Sequence, residues 1–159
     1  LKYTLIAVGK VREKAYRAMA DEYLKRLSRY ARVEEIQIPD EQEPASLSPA
    51  LEEQIKDKEG AGILRHVKPE DYVIALDVQG QQPSSVEFAH QLQEMTMRSI
   101  FSVVFIIGGS LGLSSSVLQR SNQRMSMGRM TFPHQLARVM MLEQLYRAMK
   151  INAGERYHK

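Results

Sequence analysis

Ser102-Val103-Val104-Phe105-Ile106-Ile107-Gly108-Gly109-Ser110-Leu111-Gly112 is a run of β-branched and aromatic residues that stops abruptly on glycine. An apolar run without polar alternation predicts a strand buried on both faces, and the glycines break it. The same grammar recurs outward from it. Tyr3 to Val8 closes on Gly9, Tyr72 to Leu76 is a third such run, and Val33, Ile36, Ile38 and Gln123 to Met127 form weaker ones. Helical patterns lie between them. Glu13 to Tyr30 carries Tyr16, Met19, Tyr23, Leu24 and Leu27 at spacings of three and four. Ser48 and Pro49 open a helix to about Val67, weakened at Gly60 and Gly62. Pro83-Ser84-Ser85 opens another to about Arg98, Ser114 to Arg120 is short, and Pro133 opens the last, to about Asn152. Acidic Asp40 to Pro49 reads as a loop, as do Asp77 to Pro83 and Met127 to Phe132. Alternating strands and helices predict an α/β fold: a parallel sheet with helices on both faces.

The chain has 159 residues, which predicts a single domain over 1–159. It contains no cysteine, so disulfides, thiolate-bound metals and thiolate nucleophiles are excluded. No apolar run exceeds five residues, far short of a membrane span. The chain enters a strand pattern at once with no export signal, and a cytoplasmic protein is expected. Net charge is +3, unevenly spread. Residues 1–118 hold 14 Lys/Arg against 17 Asp/Glu, whereas 119–159 hold 8 against 2. A basic last quarter on an acidic body suits a polyanionic partner such as RNA, or is simply solvated surface.

The last helix is apolar at nearly every angle: Leu136, Val139, Met140, Met141, Leu142, Leu145, Tyr146 and Met149. Such a helix is buried on more than one side, and a subunit interface is the expected second side. Ligands of open α/β sheets bind at the carboxyl ends of strands, which singles out Asp77 to Pro83, Gly108 to Gly112 and Met127 to Pro133. Neither a phosphate-binding G-x-x-x-x-G-K-[ST] nor a G-x-G-x-x-G after the first strand is present. The glycine cluster alone fits a tight turn as well as a ligand loop. The four histidines do not pair at metal-ligand spacing, and no metal is expected. His66 and His90 read as structural or solvated, His134 can cap or pack the last helix, and His158 falls in a polar tail.

Taken together, Val103 to Leu113, then Met127-Gly128-Arg129-Met130-Thr131-Phe132-Pro133-His134-Gln135-Leu136, then Glu155-Arg156-Tyr157-His158-Lys159 resemble the SPOUT-class methyltransferases of large-subunit ribosomal RNA. More narrowly they resemble the pseudouridine N3-methyltransferase family, ribosomal RNA large subunit methyltransferase H. Leu5 to Lys10 and Tyr72 to Gly80 fit the same register. The resemblance implies a SPOUT fold with a C-terminal trefoil knot, an exception to ordinary unknotted topology. It implies a homodimer using S-adenosylmethionine and acting on ribosomal RNA; so small a chain favours shape recognition of an assembled ribosome by a dimer over reading a long RNA sequence. Its cofactor residues would be Leu76, Gly108, Met127, Gly128, Arg129, Met130, Thr131 and Phe132.

Physical chemistry agrees with that reading. S-adenosylmethionine has no phosphate, so it needs no phosphate-binding lysine. Glycine-broken strand ends expose backbone groups to adenine, and Leu76, Leu111, Met130 and Phe132 would sandwich the ring. Methyl transfer then depends on positioning and on loss of the weakly acidic N3 proton. Arg138, Tyr157 and His158 are the candidate catalytic residues. Without cysteine, C5-methylation through a thiol adduct is excluded. N-methylation leads; a ribose 2′-OH, a tRNA base or non-catalytic ribosome binding are the alternatives.

Overall fold

The computed structural model describes all residues, 1–159. The elements are β1 (Lys2–Val8), α1 (Lys14–Leu27), β2 (Arg32–Ile38), α2 (Pro49–Leu64), β3 (Tyr72–Gln81), α3 (Ser85–Met97), β4 (Ser102–Ile107), α4 (Ser115–Arg120), β5 (Gln123–Met125) and α5 (His134–Asn152). The strands form one sheet in the order β2-β1-β4-β3-β5, every pairing parallel. Parallel strands need crossovers, and the helices that supply them cover both faces.

The pleat sorts the side chains. Tyr3, Leu5 and Ala7 of β1, with Val103, Phe105 and Ile107 of β4, point toward α1, α3 and α5 in the larger core. Ile6, Val8, Val104 and Ile106 point to the other face, against Ile63 of α2 and Val117 of α4. A single run of five apolar residues thus serves two cores.

Caps explain several boundaries. Ser48 accepts from Leu51 N and Ser84 from Glu87 N, while the Glu87 carboxylate accepts from Ser84 N. These are the expected N-caps, the second a full capping box. α1 stops at Leu27 and α2 at Leu64, each about one turn earlier than the apolar pattern suggests. Gly60 does not interrupt α2: a side chain there would run into Ser114 Oγ, so glycine lets α2 pack closely on α4.

One boundary needs correction. β3 extends to Gln81 instead of ending at Leu76. Leu76 and Gln81 both pair with Met125, so residues 77–80 leave the ladder as a bulge. α5 fills most of its apolar circumference within its own chain, packed between α1 and α3, with Leu142, Leu145 and Met149 all buried. Its all-round apolarity does not by itself require a second subunit.

Candidate active site

A cavity of about 650 Å³ opens at the carboxyl ends of β3, β4 and β5. Leu76, Gly108, Met127, Gly128, Met130, Thr131 and Phe132 all line it. Arg129, between Gly128 and Met130, does not; its side chain is exposed on the loop. Three distant segments converge here because parallel strands end together on one edge.

Local chemistry shapes the walls. After β4 the chain turns back through Gly109 and Gly112, which form an isolated bridge. A Cβ on Gly108 would sit 3.0 Å from the carbonyl carbon and oxygen of Gly112 and from Leu113 Cδ2, so any side chain there would push the two arms apart by a few tenths of an ångström. Gly112 and Gly128 have φ of +88° and +131°, which disfavours any side chain. Ser126 Oγ donates to Gly128 O at 2.8 Å and accepts from Gly128 N at 3.1 Å, stapling the second loop.

The electrostatics are distinctive. No lysine or arginine lines the cavity; its only titratable side chains are Asp77 and His134. Asp77 lies 3.6 Å from Arg124, whose guanidinium is not a lining group. Burial pushes His134 below its ordinary value of 6.5, and the Arg138 charge adds to that. The walls therefore offer one carboxylate, a neutral imidazole, the hydroxyls of Ser110, Ser126 and Thr131, backbone groups and apolar side chains. That set fits an adenosyl sulfonium and does not fit a nucleotide polyphosphate, so the residues present suit S-adenosylmethionine.

A family-model match to the SPOUT methyltransferases covers residues 1–158. The chain belongs to the SPOUT methyltransferase family. It is 50% identical over 159 residues to a ribosomal RNA large subunit methyltransferase H of Carboxydothermus hydrogenoformans, covering all of both chains. The protein of that name from Enterococcus faecalis is 48% identical, again with full coverage of both. In fold, this SPOUT methyltransferase resembles a probable methylase family protein from Haemophilus influenzae, with a TM-score of 0.53 and 11% identity over 99% of this chain and 70% of that one.

The expected catalytic residues divide. Arg138 is fully buried. Its Nη1 donates to Gly9 O at 2.8 Å and its Nη2 lies 3.8 Å from Glu35. Arg138, expected among the catalytic residues, has its guanidinium tying the end of β1 to α5. Tyr157 and His158 are near each other in the tail, which folds back on α5 instead of fraying. The Tyr157 ring packs edge-on against Tyr146 at 5.0 Å, its hydroxyl donates to Glu143 at 3.1 Å, and Arg147 lies 4.8 Å over its face. Burial first, then contact with Tyr23 and Glu143, pushes the Tyr157 hydroxyl up to about 12. Arg147 also reaches His158 Nδ1 at 3.2 Å.

Sequence reasoning missed Glu143 and Arg147. A signal existed: they carry opposite charges one turn apart on the last helix, the spacing of an i,i+4 ion pair. Glu143 also lines a second concavity of about 710 Å³, together with Met19, Tyr23, Phe88, Val139 and Met140. Residues 125–128 wall both this groove and the cavity, so the two adjoin. No group of three His, Asp or Glu is arranged to hold a metal, and no helix is long and apolar enough to cross a membrane.

Proposed function

We propose that this chain transfers a methyl group from S-adenosylmethionine to N3 of a pseudouridine in the large-subunit (23S) ribosomal RNA of the assembled ribosome, and that it works as a homodimer. The observation that carries the cofactor is the cation-free cavity with its single carboxylate. The relatives' shared name, at 48–50% identity over the whole chain, supports the substrate. The trefoil knot implied by the family resemblance belongs to the same reading, supported by the common cavity of the segments after β4 and β5.

Leu76, Gly108 and residues 127–132 would hold the cofactor, through apolar contact and through backbone groups that glycine leaves open. When bound, it supplies an electrophilic methyl on a sulfonium. Asp77 offsets positive charge, and neutral His134 adds none. The tail handles the base. Because a guanidinium only donates, His158 Nδ1 accepts from Arg147, which leaves the neutral ring's proton on Nε2. His158 then presents a donor that stabilises the anion forming as the N3 proton leaves to solvent. Tyr157 gives a stacking face set by Glu143 and Arg147. The groove that adjoins the cavity is the surface for the second subunit, which brings one subunit's tail to the other's cofactor.

Truncation before Tyr157 tests this division of labour. The shortened chain is expected to bind S-adenosylhomocysteine with unchanged affinity in calorimetry and to remain dimeric, while methylation of ribosomes is lost. Wild-type turnover by the truncated chain would remove Tyr157 and His158 from the chemistry.

A further inference from the structure

The basic last quarter is mostly committed inside the chain. Arg120 donates to Lys68 O and Asp71 O, Arg124 faces Asp77, Arg138 is buried, Arg147 holds Glu143, and Lys150 holds Glu155. The densest free cations lie elsewhere. Lys10, Arg12 and Lys14 fall within five residues, are exposed, and form no ion pair within 4.0 Å.

This connection between β1 and α1 leaves the sheet on the same edge as the cofactor cavity, and it is held from a distance. Gln135 Oε1 accepts from both Arg12 N (2.9 Å) and Glu13 N (3.1 Å), capping α1 from another helix because Glu13 supplies no cap of its own. Arg138 holds the Gly9 carbonyl. His134 packs so closely on Gly9 that a Cβ there would meet its Cε1 at 3.0 Å. His134, Gln135 and Arg138 form the first turns of α5, directly after the loop that walls the cavity. Three like charges in a short loop repel one another, and these bonds hold the backbone that carries them. The segment after β2 carries the opposite charge. Asp40, Glu41 and Glu43 lie between β2 and α2, and Glu43 accepts from Ser110 of the glycine turn. An approaching polyanion is drawn to the Lys10 side and repelled from the Glu43 side.

We propose that Gly9 to Lys14 is a phosphate-binding edge for the substrate RNA, and that the first turns of α5 set its position relative to the cofactor cavity. The inference rests on the reading of this chain as an RNA methyltransferase.

The test uses the full-length protein and ribosomes that lack the modification. Lys10→Gln, Arg12→Gln and Lys14→Gln are combined, and a control combines Arg65→Gln, Lys68→Gln and Arg98→Gln, which remove equal charge from the opposite edge of the sheet. The first variant is expected to raise KM for ribosomes about tenfold and to lower the slope of log affinity against log salt by about 2. Its kcat at saturation and its calorimetric affinity for S-adenosylhomocysteine should stay at wild-type values, and the control should behave as wild type. Equal effects in both variants, or none in either, would overturn the phosphate edge. Gln135→Ala tests the positioning: faster amide exchange at Arg12 and Glu13 together with a higher KM is expected, and faster exchange with unchanged KM would refute it. Failure of the underlying reading looks different, because the wild-type protein itself would then neither bind S-adenosylhomocysteine nor methylate ribosomes.

Discussion

His134 touches the cavity on one side and Gly9 on the other, which makes its charge state matter to the ligand. Burial, then Arg138 and Arg12, depress its proton affinity; only Asp40 opposes them. Its folded-state pKa is thus below the unfolded value of 6.5, so the stability linked to it is present above that value and lost as pH falls through and below it. Protonation also places a cation beside the cavity. S-adenosylmethionine carries a sulfonium and S-adenosylhomocysteine a neutral thioether. As pH falls below 6.5, calorimetric affinity for the sulfonium is expected to fall more steeply than for the thioether, and His134→Asn should remove the difference. Parallel pH profiles for the two ligands in the wild-type protein would show that His134 does not sense the sulfonium. None of this was legible from the sequence, where His134 is one residue at a helix start. Nor was the burial of Arg138, because which face of α5 meets Gly9 depends on packing between segments more than a hundred residues apart.

At the scale of elements, the strands were legible because both of their faces are buried. Continuous apolar runs such as Val103 to Ile107 report that directly. β3 shows where this fails. Its second half, Asp77-Val78-Gln79-Gly80-Gln81, is polar and contains glycine, so local propensity argues for a loop. The structure bulges 77–80 out of the ladder, puts Asp77 and Val78 in the cavity wall, and returns Gln81 to Met125. Gly80 makes this possible: a Cβ there would lie 2.6 Å from the carbonyl carbon of Arg124 and from the backbone nitrogen of Met125. Backbone cannot move aside as a side chain can. Gly80→Ala is therefore expected to destabilise the protein by about 1–3 kcal/mol in denaturant titration. It should also weaken cofactor binding, because Met125 leads into the loop at 126–133. Wild-type stability in that variant would mean that β5 is free to shift.

For the whole molecule, the apolar helix misled in one respect. Leu145 is 2% exposed, enclosed by the chain's own core, whereas Met140 is only half-buried and Met19 is 41% exposed in the groove. Amphipathicity measures how much of a helix is covered and not by which chain. Leu145→Asp is expected to cost more than about 3 kcal/mol and to yield unfolded protein. Met140→Asp should give a folded monomer in light scattering that no longer methylates ribosomes. A dimeric, active Met140→Asp protein would place the subunit contact away from the groove. Ribosomes lacking the modification, incubated with this protein and methyl-labelled S-adenosylmethionine, can be digested to nucleosides and read by mass spectrometry. Label is expected in one pseudouridine of the large-subunit RNA, on its base at N3; label on a ribose or in no nucleoside would rule out N3 methylation by this protein.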